Sequence, residues 1–257
     1  MDVLTKCKIC DARVDFFATA KILGKYDAQY LRCSVCGLVF IPDPAWLPEA
    51  YSSALTRADV GALQRNLRMV NITASLLGLT RRKAKRFVDY GGGHGIFVRM
   101  MRDLGFDFQW SDAYAENHYA RGFEHTPGSK YDLLTAFEVI EHLPEPMKEL
   151  TEMMELADDV LLTTETLSDP PPLPQDWWYY SLTTGQHITF YSHRALQVVA
   201  ERFGRKLVSA SGIHLFSRTR VPPMLFSVAT QPRVARLLVP LARRGNLMDV
   251  DYKKLTS

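Results

Sequence analysis

The sequence predicts an α/β fold in which helices cover both faces of a mostly parallel sheet, with a small cysteine-rich lobe in front of it. From Arg86 onward, short apolar segments alternate with segments whose apolar residues recur every three or four positions. All four cysteines precede this region, and three prolines between positions 42 and 48 separate the two. The predicted units are a lobe over 1–45, a linker and helical segment over 46–84, the sheet domain over 85–230, and a C-terminal helix and tail over 231–257.

Composition and charge are those of an ordinary soluble globular protein. The chain has 257 residues, of which 47% are hydrophobic and 23% are charged, enough for one large domain with an appendage. The net charge of +3 is scattered, which disfavours a nucleic-acid-binding protein. No apolar run approaches the roughly 18 residues that a membrane span needs, and Met1 to Lys8 lacks the apolar core of a signal peptide. We therefore expect a cytoplasmic protein.

Strands and helices of the sheet domain have recognisable limits. The expected strands are Phe87–Tyr90, Phe106–Trp110, Leu133–Phe137, Val160–Thr164, Leu207–Val208 and Ile213–Phe216. One expected helix ends at Gly105, a second begins at Pro146, and a third follows an N-cap at Ser192 and ends near Gly204. Outside the domain, helical spacing predicts a helix within 50–80 and another after 230, followed by a poorly ordered end. The first of these is marked by Leu63, Leu67, Val70, Ala74 and Leu77.

The cysteines form two C-x-x-C pairs, Cys7 with Cys10 and Cys33 with Cys36, separated by 22 residues. Four thiolates at this spacing can surround one tetrahedral zinc ion. Because four protein ligands leave no position for water or substrate, such a zinc ion would be structural. It would stabilise a lobe that is too small to fold on its own core. The alternative is four free or loosely paired cysteines.

A glycine-rich loop follows the first expected strand, where Asp89 and Tyr90 lead into Gly91-Gly92-Gly93-His94-Gly95. Glycine lets the backbone approach a ligand closely, and the helix that follows offers free N–H groups. A nicotinamide dinucleotide site would have the spacing G-x-G-x-x-G, whereas the spacing from Gly91 is G-x-G-x-G. The loop therefore disfavours a nicotinamide oxidoreductase.

Two further segments complete a pattern. Asp112 lies 21 residues after Gly91, at the end of the second strand, where a carboxylate can accept hydrogen bonds from both ribose hydroxyls. The segment Phe137-Glu138-Val139-Ile140-Glu141-His142-Leu143 follows a later strand. Together with the loop D-x-G-x-G-x-G that starts at Asp89, these segments resemble the class I S-adenosylmethionine-dependent methyltransferases. The resemblance covers roughly residues 85 to 217.

The resemblance implies a Rossmann-like, seven-stranded methyltransferase sheet and S-adenosyl-L-methionine as the methyl donor. It assigns Asp89, Gly91, Gly93 and Gly95 to the methionine end of the cofactor, Asp112 to its ribose, and Phe137 and Glu138 to its side. It places the adenine contact within Tyr119–Glu124, with Phe123 as the candidate. For His94 the alternative to a site role is a loop residue whose side chain faces solvent. For His142 we favour a helix-start or core histidine.

The substrate side is expected in the aromatic segment that follows the strand at Val160–Thr164. Trp177-Trp178-Tyr179-Tyr180 could stack on a sugar ring or a planar acceptor, or could pack beneath a lid. The run His187-x-x-Phe190-Tyr191-Ser192 is similar to a segment of bacterial methyltransferases that act on nucleotide sugars. In the sugar C-methyltransferases among them, an N-terminal zinc lobe precedes the same core.

His187 is the candidate catalytic residue, because a histidine near neutral pKa can take a proton from a hydroxyl or an amine. Its alternative is a structural histidine that joins the loop to the helix cap. In the similar C-methyltransferases an acidic residue precedes this histidine, whereas Gln186 stands here, and this difference disfavours C-methylation. O-methylation is the preferred reaction, with N- and C-methylation as alternatives.

The predicted function is methyl transfer to a small polar acceptor, a carbohydrate or nucleotide sugar by resemblance, with no membrane partner. One alternative is an RNA-modifying methyltransferase whose zinc lobe grips RNA, which the mild charge disfavours. Another is a non-catalytic zinc-ribbon adaptor with a vestigial methyltransferase domain, which the intact glycine loop and Asp112 disfavour.

Overall fold

The computed structural model describes residues 6–51 and 60–257, which form two sheets. The smaller sheet has the strand order β1-β2-β3-β8, with antiparallel neighbours throughout. Its first three strands come from the cysteine-rich lobe, and its fourth comes from the sheet domain, about 150 positions further on. The strands are β1 (Val14–Ile22), β2 (Tyr26–Cys33), β3 (Val39–Phe40) and β8 (Thr189–Phe190).

The larger sheet of the described chain has six strands in the order β5-β4-β6-β7-β10-β9. Neighbours from β5 to β7 are parallel, whereas β10 runs antiparallel to both β7 and β9. Burial on both faces explains why these strands read as apolar runs rather than as alternating patterns. The strands are β4 (Phe87–Tyr90), β5 (Phe108–Ser111), β6 (Tyr131–Phe137), β7 (Ala157–Thr163), β9 (Lys206–Ala210) and β10 (Ile213–Ser217).

The helices connect and cover these strands. A short 3-10 helix, Ile140–His142, follows β6, and another, Trp178–Tyr180, lies in the long connection after β7. Ser192 caps α5 as predicted, because its side chain accepts a hydrogen bond from the Ala195 amide. The α-helices are α1 (Leu47–Ala50), α2 (Ala62–Thr80), α3 (Ile96–Asp103), α4 (Pro146–Leu156), α5 (His193–Arg202), α6 (Pro223–Thr230), α7 (Pro232–Ala242) and α8 (Met248–Thr256).

The α/β class with helices on both faces is confirmed, but the described sheet has six strands where seven were expected. At the edge beside β5, a single parallel bridge between Trp110 and Glu124 stands in place of a further strand. The Trp110 amide donates to the Phe123 carbonyl at 2.8 Å, and the His125 amide donates to the Trp110 carbonyl at 2.7 Å. The turn residues Gly122, Pro127 and Gly128 around this bridge leave no room for a longer ladder.

Two expectations about the helices were wrong. The expected poorly ordered end contains α8, a regular helix. Leu63 and Leu67, which were expected to mark the buried stripe of α2, are 67% and 51% exposed, and the buried face of α2 begins at Met69. None of the helices within 6–51 and 60–257 has the length and apolar character that crossing a membrane requires.

Buried ion pairs hold α8 against the sheet domain. Asp251 is 3% exposed and accepts hydrogen bonds from the Arg102 guanidinium at 2.6 and 2.8 Å. Arg99 pairs with the same carboxylate at 2.9 Å. Because these cations favour the charged form, they hold the pKa of Asp251 below its usual range despite burial.

Replacing Asp251 by Asn is expected to lower the free energy of unfolding by roughly 3 kcal/mol, the cost of breaking a buried ion pair from one side. The measurement is urea unfolding followed by circular dichroism. Asp249→Asn, on the exposed face of the same helix, is the matched control. Equal stability of the two variants would show that the ion pairs of Asp251 add nothing to the stability of the fold.

Candidate active site

The glycine loop joins β4 to α3 and leaves its backbone exposed at the carboxyl end of the sheet. Gly91 has a φ of 68°, and a Cβ there would lie 2.6 Å from a methyl carbon of Val139, in the segment after β6. Gly95 has a φ of 86° and is the N-cap of α3, and a Cβ there would lie 3.0 Å from the Ala120 amide nitrogen. Both positions therefore require glycine, for conformation and for space.

A cavity of about 1030 Å³ opens above this loop. Its walls come from the ends of β4, β5 and β6, from α2, and from the segment that precedes β8. Seven of the nine predicted cofactor-binding and catalytic residues line it, namely Asp89, Gly91, Gly93, Asp112, Phe137, Glu138 and His187. The other two lie elsewhere: Gly95 at the start of α3, and Phe123 behind β5. Residues that sequence reasoning did not assign to the site also line the cavity, among them Tyr51, Arg65 and His142.

Asp112 closes the cavity at the end of β5. Its Oδ1 accepts hydrogen bonds from the Tyr114 and Ala115 amides at 2.7 and 2.8 Å, and its Oδ2 accepts one from the Gly93 amide at 2.9 Å. A carboxylate offers about four lone-pair sites, so Oδ2 retains the capacity for one further donor. The residue therefore holds the glycine loop in place and still presents an acceptor to a ligand.

Asp89 lies at the end of β4 beneath the loop. It is 3% exposed, and the Thr135 hydroxyl donates to its Oδ1 at 2.6 Å. Burial raises the pKa of Asp89 to about 7, opposed by the bond from Thr135 and reinforced by the negative charge of Asp112. A cationic group of a ligand that reached the cavity floor would therefore bind the ionised form of Asp89 preferentially.

Phe123 lies outside the cavity lining, contrary to the expected adenine contact. Its ring is buried under the Arg102 guanidinium, 3.8 Å from the guanidinium carbon, and Lys254 of α8 lies 4.9 Å from the same ring. The cavity wall next to Asp112 is formed instead by Ala113, Tyr114 and Ala115. Phe123 was placed from the position of a strand that is only a bridge here, so its side chain faces the domain interior.

A cluster of ionisable side chains lines the opposite wall. His142, at the end of its 3-10 helix, lies edge-to-face with His187, with ring centroids 4.8 Å apart. Burial and the neighbouring His187 lower the pKa of His142 to about 3, and burial also lowers the pKa of His187. Both histidines are therefore neutral at neutral pH. His142 lies in a 3-10 helix and lines the cavity, whereas a helix-start or core histidine without a site role was preferred.

Buried acids and hydroxyls support this wall from behind. Glu141 is fully buried, and its Oε1 accepts a hydrogen bond from the Tyr179 hydroxyl at 2.7 Å. Burial and the nearby Glu138 raise the pKa of Glu141 well above its usual range. Sequence reasoning missed Glu141 as a site residue, although the spacing Glu138-x-x-Glu141-His142 places two acids and a histidine just after a strand end.

The aromatic run that precedes His187 divides between two roles. Tyr179 and Tyr180 are fully buried, which agrees with the alternative that the run packs in the interior. Trp178 is 75% exposed and lines the cavity. Gln186, which also lines the cavity, donates from its side-chain amide to the Ala50 carbonyl at 2.9 Å. The run therefore contributes one open aromatic face to the cavity.

The four cysteine sulfurs converge at one point of the lobe. Cys7 Sγ lies 3.5 Å from Cys36 Sγ, Cys10 Sγ lies 3.4 Å from Cys33 Sγ, and all four lie within 4.8 Å of one another as free thiols. A tetrahedron with metal–sulfur bonds of about 2.3 Å has edges of about 3.8 Å. These sulfurs could therefore hold one tetrahedral metal ion.

Both cysteine pairs have the same turn geometry. Asp11 follows the first pair with a φ of 61°, and Gly37 follows the second with a φ of 72°. The Asp11 amide donates to the Cys7 carbonyl, and the Gly37 amide donates to the Cys33 carbonyl, each at 3.0 Å. The aspartate in place of the usual glycine therefore adopts the same left-handed backbone and leaves the geometry of the turn intact.

The family model of the methyltransferase domain matches residues 63–210, more than half of the chain. The chain belongs to this methyltransferase family. The match spans the glycine loop, Asp112, the segment after β6 and His187, and it confirms the prediction of an S-adenosylmethionine-dependent methyltransferase. No protein of curated function matches the sequence.

Solved structures with weak similarity belong to several methyltransferases. An O-methyltransferase family protein from Burkholderia thailandensis is 17% identical over 69% of this chain and 68% of its own, with a TM-score of 0.48. CalS10, an amino pentose methyltransferase from Micromonospora echinaspora solved with S-adenosylmethionine, is 12% identical over 64% and 98%, with a TM-score of 0.47. The methyltransferase domain of bacterial CtHen1 is 18% identical over 59% and 98%, with a TM-score of 0.41.

Replacing Asp112 by Ala is expected to weaken S-adenosylmethionine binding about tenfold or more, because a charge-assisted acceptor is lost from the cavity. Calorimetric titration of the folded protein measures this. Glu116→Ala, whose side chain is 72% exposed in the same loop, serves as the control. An unchanged affinity in the Asp112 variant would remove this carboxylate from the cofactor site.

Proposed function

We propose that the enzyme transfers the methyl group of S-adenosylmethionine to a hydroxyl oxygen of a small polar acceptor, with a sugar or nucleotide sugar as the favoured class. The observation that carries this proposal is that His142 and His187 line the same cavity as the glycine loop and Asp112. Its volume of about 1030 Å³ matches the upper end of small-molecule pockets, so cofactor and acceptor can occupy it together.

We assign the cofactor to the glycine-loop side of this cavity, with its methionine end near Asp89, Gly91 and Gly93 and its ribose at Asp112. Phe137 and Glu138 would flank it, and Gly95 would act by starting α3. The ammonium group of the cofactor would offset the unfavourable ionisation of the buried Asp89 carboxylate.

The reaction is a displacement at the methyl carbon. A bond forms between the acceptor oxygen and this carbon, the carbon–sulfur bond breaks, its electron pair stays on sulfur, and the acceptor hydroxyl releases its proton to solvent. Most of the rate enhancement of such a reaction comes from aligning oxygen, carbon and sulfur in a site that excludes water. The task of the histidine wall is therefore to hold the acceptor oxygen.

His187 is the residue that we propose to contact the acceptor side. Its Nδ1 lies 2.7 Å from the Tyr179 carbonyl, which can only accept a hydrogen bond, so Nδ1 carries the proton and Nε2 keeps its lone pair. Because burial lowers the pKa of His187, its neutral ring is a weak base that holds a second proton poorly. We therefore assign His187 to orienting the acceptor oxygen rather than to accepting the proton of the acceptor hydroxyl.

The exposed ring of Trp178 favours a carbohydrate acceptor. Aromatic faces at the mouth of a cavity stack on the apolar face of a sugar ring. Gln186 is engaged with the Ala50 carbonyl, which favours O-methylation, since it supplies no acid or base where the similar C-methyltransferases have an acidic residue.

The acceptor class can be tested with labelled S-adenosylmethionine and a panel of nucleotide sugars, free sugars, plant phenols and short RNAs. We expect methyl ethers of a nucleotide sugar or sugar, with a raised KM for the acceptor and a nearly unchanged kcat in Trp178→Ala. Transfer to RNA alone would favour the RNA-modifying alternative, and transfer to phenols alone would rule out the carbohydrate class.

Replacing His187 by Gln is expected to lower kcat roughly 100-fold, the scale of a misplaced reacting group, with S-adenosylmethionine affinity unchanged. His193→Gln, which alters an exposed histidine at the start of α5, is the matched control. Full turnover of the His187 variant with the true acceptor would remove this residue from the mechanism.

We also propose that Cys7, Cys10, Cys33 and Cys36 bind one structural zinc ion. The converging sulfurs and the matched turns after each pair support this assignment. The lobe also reaches the active site, because β3 pairs with β8 (Val39 with Phe190 and Phe40 with Thr189), immediately after His187. An ordered lobe would then be needed to position His187.

Metal analysis of the purified protein is expected to give one zinc per chain, and Cys36→Ser is expected to lose it. That variant should unfold at lower temperature and lose methyl transfer. Ser34→Ala, between the second pair of cysteines and exposed, is the control and should keep both zinc and activity. A zinc-free wild-type protein with full stability would contradict the assignment.

A further inference from the structure

Three side chains on the histidine wall are arranged as metal ligands outside the cysteine lobe. Glu141, His142 and His187 each offer one ligand atom, and these atoms lie within 4.8 Å of one another. The first two come from the 3-10 helix after β6, and the third comes from the segment just before β8. The Ile188 amide donates to the Glu141 carbonyl at 2.9 Å, which fixes the two segments side by side.

Glu141 provides an independent sign that a ligand is needed. Its side chain is fully buried, and its Oε2 has no hydrogen-bond partner among the residues that the structure describes. A buried carboxylate oxygen without a partner costs free energy because it has lost its water and gained nothing. A proton on Oε2 would only replace an unpaired acceptor by an unpaired donor, whereas a cation would satisfy it.

The histidines are oriented as metal-bound histidines usually are. The Nδ1–H of His187 is held by the Tyr179 carbonyl at 2.7 Å. The Nδ1 of His142 lies 2.9 Å from the Tyr51 hydroxyl oxygen and 3.2 Å from the Gln186 carbonyl, and a protonated Nδ1 can donate to either. In the tautomer that makes these bonds, Nε2 of each ring has its lone pair available. A backbone carbonyl that receives the other N–H is the usual outer partner of a metal-bound histidine.

We propose that Glu141, His142 and His187 bind one divalent transition-metal ion, whose remaining coordination positions face the cavity. Two imidazoles and one carboxylate favour Mn²⁺, Fe²⁺, Co²⁺ or Zn²⁺ over Ca²⁺ and Mg²⁺. Three protein ligands leave positions open, in contrast to the closed set of four cysteines. Glu138, at the same end of β6, adds a second negative charge to the wall.

The ligand of the open positions follows from the proposed function, on which this step rests. An acceptor hydroxyl bound there would lose its proton to solvent more readily, because a divalent cation stabilises the alkoxide. Its oxygen would then attack the methyl carbon while the carbon–sulfur bond breaks and its electron pair remains on sulfur. An acceptor with two adjacent hydroxyls, as sugars have, could occupy two positions at once.

The test is titration with Mn²⁺ of full-length protein that carries one zinc ion per chain, followed by electron paramagnetic resonance of the free and bound ion. Mn²⁺ prefers oxygen and nitrogen donors, so it leaves the thiolate site undisturbed. We expect one Mn²⁺ per chain, with affinity reduced at least about tenfold in Glu141→Gln and in His187→Gln. His193→Gln and Glu155→Gln, both exposed, should bind as the wild type does.

Two outcomes would overturn the inference: no Mn²⁺ or Co²⁺ binding by wild-type protein that retains its zinc and binds S-adenosylmethionine, or equal Mn²⁺ affinity in the wild type and the His187 variant. Because His187 lies on a loop wall, its variant keeps the test open should Glu141→Gln fail to fold. The titration needs no acceptor, so failure of the metal site and failure of methyl transfer are separate results.

Discussion

The active-site wall depends on the backbone of Ile188. Its amide donates to the Glu141 carbonyl and its carbonyl accepts from the Ile41 amide, each at 2.9 Å. One residue thus links the end of β6 to the cysteine lobe. His187 directly precedes Ile188 in the chain. The two hydrogen bonds of Ile188 therefore also fix the position of the His187 ring relative to His142.

The same linkage explains why the lobe and the sheet domain fold together. Strand β8 of the sheet domain completes the sheet of the lobe. The Ser192 hydroxyl donates a hydrogen bond to the Cys36 carbonyl, and Arg202 pairs with Asp11 at 2.6 Å. Buried cysteines share an apolar core with residues of β6, α4 and α5. A lobe of this size gains most of its buried surface from such a neighbour. The cysteine cluster therefore stabilises one wall of the cavity.

Much of the fold could be predicted because strong local patterns agreed with the tertiary structure. Phe87–Tyr90 has the predicted limits and α4 begins at the predicted Pro146, since a short strand segment before glycines and a proline at a helix start admit few alternatives. The expected further strand and the position of Phe123 were wrong because a one-residue bridge leaves no periodic signal. Helix α8 was missed because the buried pair of Asp251 with Arg102 joins residues far apart in the sequence.

The site could be predicted where backbone conformation dictates the residue, as at Gly91, and where a strand end fixes a carboxylate, as at Asp112. His142 and Glu141 were not predicted, because their role depends on His187, 45 positions beyond His142, being brought alongside them. The spacing of apolar residues within one segment does not show which distant segment it contacts. This contact arises from the pairing of β3 with β8. Each strand has only two residues, which is too short to be recognised from a sequence pattern.

The most direct test of the account is a crystal structure of the protein with S-adenosylhomocysteine, the product that methyl transfer leaves behind. The account predicts that its ribose lies on Asp112, its amino-acid part lies along Gly91 and Gly93, and its sulfur faces the wall of His142 and His187. A product bound elsewhere, or with its sulfur directed away from the histidines, would contradict the proposed arrangement of donor and acceptor.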